Sequence, residues 1–114
     1  MPPHANPLRL NPLQLRTLAL FQEMARQPQF SSRVAGTDDV LLNTIPRPHG
    51  DHFHLGDKLV AARDASGLGN PAVWVALERK GLLRGAVPFA VTLTRAGQDY
   101  AVGAAADILR RGDH

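Results

Sequence analysis

Apolar residues near the N-terminus recur at the spacing of a helix that is buried on most of its circumference. Asn11 and Pro12 form a typical helix start, and Gln14 stands where a capping box has its second partner. Apolar side chains then follow at intervals of three and four residues until Pro28 ends the helix. Residues 1–10 are rich in proline and show no periodicity, so we expect a flexible arm there.

The middle of the chain predicts a loop and two short strands. Residues 29–39 are polar and contain a glycine, which favours a loop, whereas residues 40–45 are apolar and partly β-branched, as in a strand. Residues 52–56 predict a second strand, and we expect the two strands to form a hairpin that the intervening prolines confine to a sheet edge. Residues 29–50 are therefore interpreted as a loop or hairpin insertion.

The C-terminal half predicts helices around a second hairpin. A short helix is expected over residues 57–65, with its first residue, an aspartate, as the cap. After a turn with two glycines, Asn70 caps a further helix that stops at Gly81. Residues 82–94 alternate around a glycine and a proline, which predicts a two-stranded hairpin. The alanine-rich stretch 95–110 predicts a last helix.

Composition places these elements in one domain, over residues 11–110. The chain has 114 residues, of which 44% are hydrophobic and only 5% aromatic, so the core must be aliphatic. The absence of cysteine excludes a disulfide scaffold, a thiolate-held cluster and a cysteine nucleophile. No apolar run is long enough to span a membrane and no signal pattern opens the chain, so we expect a cytoplasmic protein. Phosphate-binding loops and nucleophile elbows are missing as well, and an enzyme is not expected.

Positive charge is concentrated in the second half of the chain. The net charge is +3, from 13 Lys and Arg against 10 Asp and Glu. Residues 1–57 are balanced, so the whole excess lies in residues 58–114. Such an asymmetry indicates an anionic partner, although a charge of this size also suits an ordinary soluble surface.

The predicted order of helix, strand, helix, turn, helix and hairpin resembles a winged helix-turn-helix domain. The run Leu77–Leu83 looks like the end of a recognition helix passing into the first wing strand, and Leu93–Gly97 looks like the end of the wing. In MarR-like and PadR-like regulators, two such runs are similarly separated by a wing. The resemblance covers about residues 53–100, and the first helix extends it to about residue 12. It implies an α+β fold, mostly α, with a short two- to three-stranded antiparallel sheet, and a small DNA-binding protein of the transcription-regulator type.

The resemblance also implies where double-stranded DNA is contacted, since the helix after Asn70 would enter the major groove. The candidate DNA-binding residues are Lys58, Arg63, Asn70, Arg79, Lys80, Arg84 and Arg95. The cations can neutralise phosphates, while Asn70 can either reach an adenine edge or serve as a helix cap. The chain departs from the DNA-reading pattern in two places, because residues 70–73 contain no arginine and the wing, residues 85–89, contains no cation. We therefore expect phosphate contacts to dominate over base readout.

Protein binding is a second function that fits the same surface. A winged helix can bind a protein partner instead of nucleic acid, through an apolar patch formed by Pro71, Ala72, Val75, Val87, Pro88 and Phe89. Small residues in the last predicted helix also favour a homodimer built through the terminal helices.

The third alternative is a metal-responsive protein. The cluster of His49, Asp51, His52 and His54 offers imidazole and carboxylate groups that can hold zinc or another divalent ion. Without a metal, the same alternation describes an exposed edge strand whose Phe53 faces inward, and no cofactor is then needed.

Overall fold

In the computed structural model, which describes residues 6–47, 50–87 and 90–111, the first helix begins at the predicted capping box. Helix α1 covers Pro12–Ala25. The Asn11 side chain accepts a hydrogen bond from the Gln14 backbone at 2.8 Å, and the Gln14 side chain accepts one from the Asn11 backbone at 3.0 Å. All eight residues from Thr17 to Met24 are buried, so α1 runs through the centre of the domain.

The remaining elements follow α1 along the chain. They are β1 (Ser31–Arg33), β2 (Val40–Leu42), β3 (His52–Leu55), β4 (Lys58–Ala61), a first 3₁₀ helix (Ala62–Gly69), α2 (Pro71–Arg79), β5 (Leu83–Val87), β6 (Ala90–Leu93), α3 (Arg95–Asp99), a second 3₁₀ helix (Gly103–Ile108) and β7 (Arg110–Arg111).

A four-stranded antiparallel sheet covers one side of α1. Its strand order is β1-β2-β6-β5, so the hairpin of β5 and β6 is extended by the strands that precede it in the chain. Val40 and Leu83 both pair with Leu93 of the central strand, and all three side chains are buried. Burial of this apolar row against α1 stabilises the sheet.

A second sheet, in the order β3-β4-β7, has one buried and one exposed face. Phe53, Leu55 and Val60 point into the core, whereas His52 and His54 are exposed on the opposite face. This alternation confirms that Phe53 faces inward.

The predicted helix over residues 57–65 is wrong in its first half. Residues 58–61 form strand β4, which pairs with β3 across a tight turn at Gly56, and only then does a 3₁₀ helix begin. Pairing with β3 stabilises the strand because Val60 is buried opposite Phe53.

The predicted pairing of residues 40–45 with residues 52–56 is also wrong. Strand β2 lies between β1 and β6, and β1 itself falls within the expected loop over residues 29–39. The α+β class is confirmed. However, two sheets replace the expected two or three strands, and the order of elements is not the usual winged-helix order.

The expected helix over residues 95–110 ends at Asp99. The Gln22 side chain of α1 donates hydrogen bonds to the carbonyl oxygens of Gly97 at 2.9 Å and Tyr100 at 2.8 Å, and Tyr100 itself is extended. Gly103 has a φ of 59°, a left-handed conformation that favours glycine. The terminal helix on which the homodimer prediction relied is therefore not formed.

Residues 6–10, the last part of the expected N-terminal arm, are attached to the domain. Leu10 is buried, and the turn over residues 6–9 is closed by a hydrogen bond from the Arg9 backbone to the Asn6 carbonyl at 3.0 Å. Residues 1–5 lie outside the described part. No helix in the described ranges has the length and apolar character to cross a membrane.

Candidate nucleic-acid interface

Helix α2, the expected recognition helix, begins with a side-chain cap. Asn70 accepts a hydrogen bond from the Ala72 backbone at 3.0 Å, and Pro71 occupies the first turn. The inward face carries Val73, Trp74 and Leu77, all buried. The Asn70 side-chain oxygen is therefore used by the helix itself, which is the capping role that the sequence left as an alternative.

Trp74 joins α2 to the first 3₁₀ helix and to α1. Its indole N–H donates to the Gly67 carbonyl at 3.1 Å, and its ring stands edge-on to Phe21 with centroids 5.5 Å apart. The 3₁₀ helix and α2 thus form one rigid pair directly ahead of the β5–β6 hairpin.

The outward face of α2 is mostly apolar at its start and charged at its end. Pro71, Ala72 and Val75 are exposed, and Glu78 and Arg79 follow. Hydrogen-bond donors suited to base edges are therefore missing from the first two turns.

The candidate cations fall into two groups. Arg63, on the first 3₁₀ helix, and Arg79, at the end of α2, are exposed and form no ion pair within the described residues. Lys58 lies on β4, where its position pairs with Leu55, so it belongs to the second sheet and not to a helix. The sequence predicted Lys58 on the first helix of the pair, whereas the structure places it outside that pair.

Arg84 and Arg95 are engaged by acidic residues. Arg84 forms an ion pair with the buried Asp39 at 3.0 Å, and the other oxygen of Asp39 accepts the Arg95 backbone N–H at 3.1 Å. The Arg95 side chain binds Asp99 at 2.8 Å. The hydrogen bond and charge of Asp99, followed by the charge of Asp38, raise the pKa of Arg95. Both cations thus offer less uncompensated charge than Arg63 or Arg79.

Lys80 follows α2 and contacts the N-terminal segment. Its ammonium group donates to the Leu8 carbonyl at 2.9 Å. A neutral acceptor leaves the positive charge uncompensated, so Lys80 remains available to an anion.

Arg9 is a candidate that the sequence reasoning missed. It is exposed and lies next to Leu8, the residue bound by Lys80. No local pattern reveals this, because the contact joins residues that are 72 positions apart.

The histidine cluster is only partly described. His52 and His54 are exposed on one face of β3 with ring centroids 6.1 Å apart, and Asp51 is exposed in the turn before the strand. His49 lies outside the described ranges. Within those ranges, no group of three or more potential ligands is placed to hold a metal ion. The metal-responsive alternative therefore stays a prediction.

The tip of the β5–β6 hairpin, the expected wing, also lies partly outside the described ranges. Pro88, Phe89 and the side chain of Val87 lie outside the described part, so the apolar patch is represented by its α2 residues.

Comparison of the chain with protein-family models, with curated proteins and with solved structures finds no match.

Proposed function

We propose that this protein is a variant winged helix that binds double-stranded DNA, mainly through the phosphate backbone. The observation that carries the proposal is the pairing of β2 with β6 beside β5, together with a helix pair that directly precedes this hairpin. In a winged helix, a strand ahead of the helix pair joins the wing hairpin in the same way. The first 3₁₀ helix then takes the place of the first helix of the pair, and the β3–β4 hairpin is an insertion.

Exposed positive charge on this unit supports phosphate binding. Arg63 and Arg79 lie on its two helices without an acidic partner among the described residues, and Lys80 follows immediately. Each such cation can neutralise one phosphate and release its counterions. The use of Asn70 as a cap and the apolar start of α2 argue for weak base readout. A cytoplasmic location and a role in transcription regulation are part of this proposal.

Fluorescence anisotropy with two unrelated DNA duplexes tests the proposal. We expect similar affinities for both duplexes and a steep loss of affinity with salt. Arg63→Ala and Arg79→Ala should each weaken binding to both duplexes and lower the salt slope by about one. Arg33→Ala is the matched control, because Arg33 is an exposed arginine on β1, the edge of the sheet farthest from β5.

Two results would contradict DNA binding by this surface. The first is the absence of salt-dependent binding by the wild type. The second is an equal loss of affinity in the Arg33→Ala control, since binding would then follow total charge and not this surface.

Protein binding is the second candidate, and the exposure of Val75 favours it. Val75 is 42% exposed, and it is the only exposed large hydrophobic residue among the described residues. A second copy of the chain serves as the test partner for this face. Sedimentation velocity should then show a dimer that Val75→Ser dissociates, without any salt-sensitive DNA binding. A monomer at all accessible concentrations would reject self-association through this face.

A further inference from the structure

The N-terminal turn is a closed, hydrogen-bonded unit. The Asn6 side chain donates to the Leu10 carbonyl at 2.8 Å and accepts the Leu10 backbone N–H at 3.0 Å. The Arg9 backbone donates to the Asn6 carbonyl at 3.0 Å. Leu10 is buried and anchors the turn on the core. Arg9 is thus presented from an ordered segment, and not from a loose chain end.

Two distant elements hold the same turn. The Tyr100 hydroxyl accepts the Leu8 backbone N–H at 3.1 Å and donates to the Asn6 side chain. The Lys80 ammonium group donates to the Leu8 carbonyl at 2.9 Å. That carbonyl belongs to the peptide bond joining Leu8 to Arg9, so the Lys80 ammonium group lies beside the backbone from which the exposed Arg9 side chain extends.

Arg9 adopts an unfavourable backbone conformation there. Its φ is 56°. Among the described residues, Arg9 is the only one other than glycine that has a positive φ. This left-handed region suits glycine, is tolerated by asparagine, and penalises other residues because their Cβ approaches the following carbonyl oxygen. Such conformations persist when the surrounding contacts determine them, and they concentrate at binding sites.

The charge of the two cations is not compensated within the described ranges. Neither Arg9 nor Lys80 forms an ion pair there. The acids nearest to this place in sequence have other partners: Glu78 accepts the Gly85 backbone N–H at 3.2 Å, and Asp99 binds Arg95 at 2.8 Å. Two cations held at one peptide bond and without an ion pair among the described residues suit an anion with several oxygens.

We propose that Arg9 and Lys80 together bind a phosphodiester group of duplex DNA, which adds an N-terminal contact to the α2 surface. The guanidinium group can form two parallel hydrogen bonds to one phosphate, while the ammonium group supplies a point charge. This inference rests on the proposed function.

Two variants of Arg9 test it, because they separate charge from fold. Arg9→Gly removes the charge and suits the left-handed backbone, so its Tm should equal or exceed that of the wild type. Its DNA affinity should nevertheless fall several-fold at low salt, with a salt slope lower by about one. Arg9→Lys keeps the charge and should retain the slope.

The outcomes distinguish failure of the Arg9–Lys80 contact from failure of the proposed DNA binding. If the wild type does not bind DNA, both fail. If Arg79→Ala weakens binding but Arg9→Gly binds as the wild type does, only the N-terminal contact is rejected. A Tm increase by inorganic phosphate at constant ionic strength, lost in Arg9→Gly while DNA affinity is unchanged, would assign the pair to free phosphate and overturn the DNA contact.

Discussion

Two glycines lie so close to the first helix and its C-terminal end that no side chain fits at their positions. A Cβ on Gly56 would stand 1.7 Å from the Gln27 side-chain oxygen, and one on Gly67 would stand 1.9 Å from the Thr17 hydroxyl. Gln27 cannot move freely, because its amide donates to Glu23 at 2.8 Å and to the Leu55 carbonyl at 3.0 Å. These contacts bring the β3–β4 turn and the first 3₁₀ helix against α1 and its end.

Replacing Gly56 therefore tests both backbone conformation and packing. Gly56→Ala should destabilise the protein by about 2–4 kcal/mol, since the φ of 62° is unfavourable for alanine and the Cβ collides with Gln27. Gly36→Ala is the matched control, because Gly36 has a φ of 76° with open space around it, and it should cost only about 1–2 kcal/mol. Urea unfolding measures both. Equal losses of unfolding free energy in the two variants would mean that the Gln27 side chain moves aside without destabilising the protein.

At the level of elements, both longer helices start in the same way. Asn11 and Asn70 each place a side-chain oxygen on a backbone N–H of the first turn, and each is followed by proline. Each cap satisfies a donor that the helix leaves unpaired. For Asn70 the cap also bears on function, because the oxygen that would accept a hydrogen bond from a base already accepts one from the Ala72 backbone.

Substitutions at Asn70 separate capping from base readout. Asn70→Ser preserves a cap and should keep the stability of the wild type, whereas Asn70→Ala should lose about 1 kcal/mol of unfolding free energy. The ratio of affinities for two unrelated duplexes should be the same in Asn70→Ser and in the wild type. A changed ratio at unchanged Tm would show that Asn70 reads bases after all. Thermal unfolding and anisotropy supply the two measurements.

In the molecule as a whole, α1 is the element on which the others assemble. It packs against both 3₁₀ helices, α2 and the four-stranded sheet. Gly67 contributes to the contact between α1 and the first 3₁₀ helix and has two roles: it lies against Thr17, and its carbonyl accepts the Trp74 indole N–H. The position of α2, and with it the proposed DNA surface, therefore depends on how closely the first 3₁₀ helix approaches α1.

A double-mutant cycle tests the close contact between the first 3₁₀ helix and α1. Gly67→Ala should cost about 2–4 kcal/mol by forcing the 3₁₀ helix away from α1, and Thr17→Ala in the same chain should recover more than about 1 kcal/mol. Gly69→Ala, which meets no atom within 4 Å, should change stability by less than about 1 kcal/mol. Urea unfolding followed by the fluorescence of Trp74 reports all variants. Additive effects of the two substitutions would disprove the contact.

Local sequence was sufficient to predict an element wherever the interactions that determine it lie within a few residues of each other. The asparagine caps and the prolines that follow them placed the starts of α1 and α2, and helical spacing identified the buried face of Val73, Trp74 and Leu77. The hairpin of β5 and β6 was predicted in the same way. Of the candidate site, the sequence identified the cations at the end of α2 but not the distant Arg9.

Tertiary structure alone decided the partners of the short strands and the end of α3. Residues 58–61 fit either a helix or a strand, and pairing with β3 selects the strand. Residues after Asp99 have helical composition, but Gln22 binds the carbonyl oxygens of Gly97 and Tyr100. Strands of three or four residues and single side-chain contacts carry too little local preference to determine their own partners, so the packed core determines them.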